Sequence, residues 1–305
     1  MHLGFITGNI LEKFTNPNYN IIYYPQNNLF DHLVGLVNNF NIMVFSASSD
    51  HCKIKNLEDI PSNRINLYNY NLCISNNLIE YTKSNLKNFH LNSIICTHSP
   101  KPPYIKKEDI ALITQRLSRE IKIFFSESVK ESWKFHADNT YYIKYGIPDN
   151  FLYSKPYNER KDVLIINSQN LVLTGKLTES LKQKNLTCDC LDVYNLSIED
   201  LNELFNSYKI CIDLNTDNTI NILCSIASGC IGIVPNTDSP EYKNLQGLFF
   251  INSLESIINT IDSILNTSYD PSSASEDIKK TFPFDEFKNK MNNLIHKANR
   301  EAFIL

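Results

Sequence analysis

The sequence predicts an α/β protein built from two doubly wound parallel sheets. Two observations carry this. Short apolar runs alternate with helix-length amphipathic stretches through the first half, and the alternation restarts at Val163 after a polar interval. Spacers of helix length force crossover connections, which build parallel sheets. A chain of 305 residues is also at the upper size limit for one hydrophobic core, which favours two domains.

In the first half, apolar runs predict strands over 3–7, 21–24, 42–46, 65–68, 93–97, 121–126 and 141–145. Amphipathic spacing predicts helices over 29–38, 77–89, 107–119 and 128–135. Residues 149–161 are polar, with Pro148 just ahead and Pro156 inside, and read as a linker. Strands are then expected over 163–166, 186–193, 210–214, 230–234 and 248–251, with helices over 175–184, 198–207 and 219–228 between them. Residues 253–266 give the clearest helix, because Leu254, Ile257, Ile258, Ile261, Ile264 and Leu265 recur on one face. Ser253 can cap its start, and Glu255 complements the helix dipole. Ser256 stands where a capping box places Glu or Gln, so no full box is expected. Residues 270–276, rich in Pro and Ser, read as a turn, and 285–302 as a last helix. The domains are accordingly expected over 1–155 and 156–284, followed by a helical segment over 285–305.

Apolar residues make up 42% of the chain and charged residues 20%, as in ordinary soluble domains. The net charge of −4 excludes an overall positive field that would recruit nucleic acid or anionic membranes. Eight cysteines include no CxxC pair. Cys188 and Cys190 share one face of a predicted strand, a spacing too close for a normal metal pair, and no metal site is expected. Reduced thiols, no signal segment and no apolar run of membrane-spanning length lead to an expected cytoplasmic location.

The most informative stretch is 214–241, LNTDNTINILCSIASGCIGIVPNTDSPE. A strand enters a polar turn, an apolar helix closes at Ser228-Gly229, and a second strand ends in a polar loop. Ligands of doubly wound sheets bind where strand ends meet helix starts, because unpaired N–H groups attract phosphate there. Thr216, Asn218 and Thr219 can cap that helix and leave N–H groups for a diphosphate; a plain helix cap is the alternative. Asp217 and Glu241 are the nearby carboxylates. Thr7-Gly8-Asn9 follows the first strand, and a glycine there allows close backbone approach to a ligand. His98 directly follows the strand 93–97, where an imidazole can orient a sugar or act as a base. Lys101, Tyr104, Lys106 and Lys107 form a basic, aromatic-bearing loop suited to an anionic acceptor, a nucleic-acid backbone included.

The stretch 210–266 resembles the donor-binding segment of B-fold glycosyltransferases: Ser225-Ile226-Ala227-Ser228-Gly229 fits the helix end and Ser239-Pro240-Glu241 the loop beyond. Phe124-Phe125-Ser126-Glu127-Ser128, followed by Tyr145-Gly146-Ile147-Pro148, resembles the family's exit from its first domain. The resemblance implies two Rossmann-like domains facing a cleft, with the C-terminal helix returning to pack on the first. It further implies a nucleotide sugar as co-substrate with no other cofactor, no obligatory metal, and a retaining reaction. On this resemblance Lys176 is the base nearest the diphosphate, Gly8, Asn9 and the 216–219 turn line the donor, and His98 is the catalytic candidate. Both signature acids of the family are replaced, by Thr216 and Cys224. A thiol cannot accept two ribose hydroxyls as a carboxylate does, so Cys224 reads as a buried small residue. The acceptor is left open among glycan, protein and nucleic acid. The alternatives are a non-catalytic binding protein of the same fold and a viral-type DNA glucosyltransferase.

Overall fold

A computed structural model describes residues 2–7, 41–46, 51–52, 60–61, 72–75 and 92–97. It then describes residue 101 and residues 104–301 apart from 119, 135–138, 167–170, 192, 194–195, 197, 215–218, 236–241 and 268. The chain divides into two compact units, Met1–Lys144 with Lys288–Leu305, and Tyr145–Phe287.

The first unit is built on an eight-stranded sheet. Its strands are β1 (His2–Thr7), β2 (Asn41–Ser46), β3 (His51–Cys52), β4 (Ile60–Pro61), β5 (Leu72–Ser75), β6 (Asn92–Thr97), β7 (Ile121–Phe124) and β8 (Thr140–Tyr142). They lie in the order β4-β3-β2-β1-β5-β6-β7-β8. All neighbours are parallel except β2–β3 and β3–β4. The chain thus winds outward from β1 in one direction and later returns to its other side at β5, which sets a topological switch point between β1 and β5. Helices α1 (Lys107–Arg116) and α2 (Glu127–Trp133) flank β7 in sequence. Ile94, Ile95, Cys96, Ile121, Ile123 and Phe124 are all buried, as expected of inner parallel strands covered on both faces.

The second unit carries an all-parallel five-stranded sheet of β9 (Lys161–Ile166), β10 (Cys188–Leu191), β11 (Tyr208–Asp213), β12 (Ile231–Pro235) and β13 (Leu248–Ile251). Its order is β10-β9-β11-β12-β13, with parallel pairing throughout. This is a doubly wound order with its switch point between β9 and β11. Helices α3 (Leu171–Gln183), α4 (Ile198–Asn206), α5 (Ile220–Ala227) and α6 (Leu254–Leu265) follow or connect the strands. The core is aliphatic: Val163, Ile165, Ile210, Ile212, Ile231 and Ile233 from the sheet pack with Leu177, Leu181, Ile257 and Ile261 from the helices.

Three local expectations are corrected. Residues 270–276 are not a turn but open α7 (Pro271–Thr281). Asp270 accepts hydrogen bonds from the N–H groups of Ser272 (3.1 Å) and Ser273 (3.3 Å), and Pro271 fits the first helical position, where no N–H donor is needed. At α6 a reciprocal box does form: Ser253 Oγ accepts from Ser256 N–H (3.1 Å) and Ser256 Oγ accepts from Ser253 N–H (3.0 Å). A serine hydroxyl reaches as far as the usual carboxylate needs to.

The third correction concerns the expected linker 149–161, which is packed into the second unit. Phe151 is fully buried beside Phe205, with ring centroids 6.1 Å apart. Arg160 lies under the sheet's N-terminal end and donates to Lys155 O, Tyr208 O, Asn206 Oδ1 and Ser228 O at 2.9–3.3 Å. Most of the segment's polar residues are exposed, but Phe151 and Arg160 are buried and anchor it to the second unit. Gly229 adopts φ +89°, and a Cβ there would collide with the Tyr153 ring and crowd Arg160.

Sequence reading also passed over β3, β4 and β5, which are short. The expected strands at 21–24 and 65–68 and helices at 29–38 and 77–89 lie outside the described residues. The last helix, α8 (Phe284–Glu301), belongs to the first unit from Lys288 onward. There Lys297 donates to Asn139 Oδ1 (2.8 Å) and Tyr141 OH (2.6 Å). Gly146 allows the chain to pass Phe284 and Phe287, since a Cβ would overlap both residues.

Candidate functional site

The switch point of the second unit brings two helix starts to one edge of one sheet. Strand β9 ends at Ile166 and α3 opens at Leu171; β11 ends at Asp213 and α5 opens at Ile220. Asp213 pairs in register with Ile166, so both connections leave the sheet side by side. Ligand crevices of doubly wound sheets lie outside such strand ends, where helix dipoles and unpaired N–H groups face the same space.

Helix α5 shows how the sequence makes this edge. Its run of Ile220, Ile222, Leu223 and Ile226 buries every face, and all eight of its residues are buried. Gly232 lies close below it: a Cβ there would meet Ile222 and Ile226, so the absent side chain lets the helix settle on β12. Thr219 sits at the N-cap and accepts the N–H of Leu223 through its carbonyl at 3.0 Å. Its side chain makes no capping bond. Two residues on, Asn221 is 2% exposed, and its amide has no hydrogen-bond partner among the described residues. A carboxamide in the first turn of an otherwise apolar helix can donate to and accept from a polar ligand there.

On the neighbouring connection, Lys176 is exposed on α3 beside Gly175, whose missing Cβ would touch nothing. Thr219, Asn221 and Lys176 therefore belong to connections leaving one sheet edge. Thr216, Asp217, Asn218 and Glu241 lie outside the described residues, as do Gly8, Asn9 and His98. By chain order, Gly8 and Asn9 follow β1 at the first unit's switch point, and His98 follows β6.

Cys224 is fully buried, and burial pushes its thiol well above the ordinary range. It is a packed, neutral side chain, as its sequence context predicted. In the first unit, the basic loop is partly committed internally. Lys101 Nζ donates to Ile105 O at 2.5 Å, and Lys101 N–H donates to Ser132 Oγ at 2.9 Å. Lys106 N–H donates to Asp109 Oδ2 at 2.9 Å as α1 begins, and Tyr104 is 72% exposed.

Thr97, at a strand end, escaped sequence reading, whereas Asn221, in the first turn of α5, closes the 215–221 stretch that the sequence assigns to a diphosphate. Asn221 sits inside an apolar run, and a lone polar residue there was the available signal. Thr97 closes β6 as an ordinary strand residue, and nothing in its sequence context set it apart.

No protein-family model and no curated protein sequence matches this chain. Solved structures do match along nearly its whole length. Sucrose-phosphate synthase from Thermosynechococcus elongatus superposes with a TM-score of 0.63 at 13% identity, covering 97% of this chain and 98% of that one. HepE from Anabaena, in complex with UDP, gives 0.63 at 10% identity over 97% and 100%. A candidate UDP-N-acetylglucosamine 2-epimerase from Listeria monocytogenes gives 0.54 at 10% identity over 98% and 97%. At these identities the likeness is one of fold: the chain has the Rossmann-like α/β fold of the B-fold glycosyltransferases.

Proposed function

We propose that this chain is a glycosyltransferase that moves a sugar from a nucleotide-sugar donor to an acceptor, with neither a metal nor another cofactor required. The observation that carries the reading is the start of α5: a helix opening at the switch strand, with Asn221 as the polar side chain of its first turn. Helix N–H groups suit a diphosphate. A carboxamide, donor and acceptor at once, suits phosphate oxygens or ribose hydroxyls.

In this reading the 216–219 turn, Asn221 and Lys176 hold the nucleotide diphosphate, with Asp217, Glu241, Gly8 and Asn9 completing the donor set. His98 serves as the group that orients the sugar or takes the acceptor's proton. The leaving diphosphate is stabilised by aimed N–H groups and Lys176. The reading includes a cytoplasmic location, supported by Cys96, Cys188, Cys190, Cys211, Cys224 and Cys230 being free thiols. UDP is the first ligand to try, because the structurally similar HepE is in complex with it.

The test is a melting-temperature screen with UDP, UDP-glucose, UDP-N-acetylglucosamine and ADP-glucose. A ligand at about a hundred times its Kd stabilises by about 2.7 kcal/mol, which corresponds to a rise of roughly 4 °C for a chain of this size. No rise with any of the four sinks the proposal. A second reading, a non-catalytic nucleotide-sugar binder, is favoured by the buried Cys224 thiol at the family's acid position. A melting shift without any release of sugar from the donor, to water or to added saccharides, selects that reading.

A further inference from the structure

The first unit holds a buried hydroxyl that the fold does not use. Thr97 is the last residue of β6, is 4% exposed, and its Oγ1 has no hydrogen-bond partner among the described residues. Valine has the same shape without the hydroxyl, and the three residues before Thr97 in this strand, Ile94, Ile95 and Cys96, are all fully buried. A hydroxyl in that setting is desolvated without return unless something bonds to it.

Its position says what kind of partner fits. Thr97 lies at the C-terminal end of an inner parallel strand, in register with Phe124 of β7, and ligands of doubly wound sheets bind beyond such ends. Two residues past Phe124, Ser126 Oγ and Ser128 Oγ lie 2.9 Å apart in a shared hydrogen bond. The nearby Lys101 ammonium is committed to the Ile105 carbonyl. Among the described residues these strand ends carry hydroxyls, which can bond the hydroxyls of a neutral ligand.

We propose that Thr97 Oγ1 bonds a neutral, polyhydroxylated ligand of the saccharide class at the C-terminal edge of β6 and β7. The hydroxyl both donates and accepts, so it can bond a sugar hydroxyl in either sense. Only the naming of this ligand as an acceptor rests on the glycosyl-transfer reading; the unbonded hydroxyl stands apart from it.

The experiment compares wild type with Thr97→Val and Thr97→Ser in the full chain. Glucose, maltose and N-acetylglucosamine are titrated separately and followed by saturation-transfer NMR, with the melting temperature measured for each protein with and without UDP. At least one saccharide binds wild type. Thr97→Val weakens that binding by roughly three- to tenfold, the effect of one hydrogen bond, and Thr97→Ser retains it. The ligand-free melting temperature of Thr97→Val stays within about two degrees of wild type or rises, and the UDP-induced shift is unchanged in both variants. The proposal is overturned if no saccharide binds wild type, if Thr97→Val binds as tightly, or if Thr97→Val melts well below wild type, which would make the hydroxyl structural. Saccharide binding that depends on Thr97 in a protein unmoved by UDP would sink the nucleotide reading and leave this one standing. A UDP shift with no saccharide binding would do the reverse.

Discussion

Two buried asparagines at opposite ends of the second unit's sheet have opposite surroundings. Asn206, at the N-terminal end, is 4% exposed and fully bonded. Its Nδ2 donates to Leu152 O (2.7 Å) and to Asn202 O (2.9 Å) and Oδ1. Its Oδ1 accepts from Ser154 N–H, Lys155 N–H and Arg160 Nη2 at 2.9–3.3 Å. Asn221, at the C-terminal end, is 2% exposed and bonded to none of the described residues. The same side chain ties the fold together at one end and stands at the candidate ligand edge at the other. A satisfied polar network rigidifies a structure, whereas a side chain the network does not hold can bond a ligand.

The comparison breaks most visibly at Arg160. It is buried, and burial draws its guanidinium below the ordinary range, although the guanidinium stays charged. Arg160→Met should destabilise the protein by about 3 kcal/mol or more, because several buried acceptors lose their donor together. Urea unfolding measures this. Arg160→Lys should recover little, since an ammonium cannot reproduce the forked geometry that serves four acceptors. Stability within about 1 kcal/mol of wild type in Arg160→Met would show that the N-terminal end is not held by this network.

A smaller effect is expected at Asp162, on the same end of the sheet. Burial pushes its carboxyl up, but bonds from Lys209 Nζ (2.8 Å) and from the N–H and hydroxyl of Thr187 (3.0 and 2.9 Å) outweigh that and leave it below the usual carboxylate value. A folded-state pKa below the unfolded one contributes stability above the unfolded value of about 4, and that stability is lost as pH falls through the folded value. Asp162→Asn should therefore cost about 1–2 kcal/mol at neutral pH, with the gap to wild type closing as the solution is acidified below about pH 4. A gap independent of pH would mean that Asp162 acts by shape rather than by charge.

The two ends also differed in how far the amino-acid pattern revealed them. Aliphatic runs such as 163–166 and 210–214 announced the sheet because its inner strands are covered on both faces. The α6 helix was legible from its isoleucine spacing. The start of α7 was not, because Asp-Pro-Ser-Ser serves equally as a turn and as a capped helix start, and the burial of Ala274 and Ile278 decides between them. The 149–161 segment misled for a related reason: Arg160 and Asn206 are polar by composition and buried by partnership, and partnership across 46 residues is not a local signal. At the candidate site, chain order alone located the strand-to-helix turn after β11. Thr97 emerged only when burial and bonding could be read together.

The sharpest use of the comparison makes one substitution at both asparagines. Asn206→Leu removes three donated and three accepted bonds and should cost about 3 kcal/mol. Asn221→Leu replaces a buried amide by an apolar group of similar size in a helix that is largely apolar. Exchanges of that kind are close to neutral, and the free protein should change by less than about 1 kcal/mol in either direction. Its response to ligand should change far more: the UDP-induced rise in melting temperature should fall in Asn221→Leu. A large loss of stability in ligand-free Asn221→Leu would place both asparagines in the same structural role and dissolve the contrast. An undiminished UDP shift would instead keep the contrast in stability and remove Asn221 from the nucleotide.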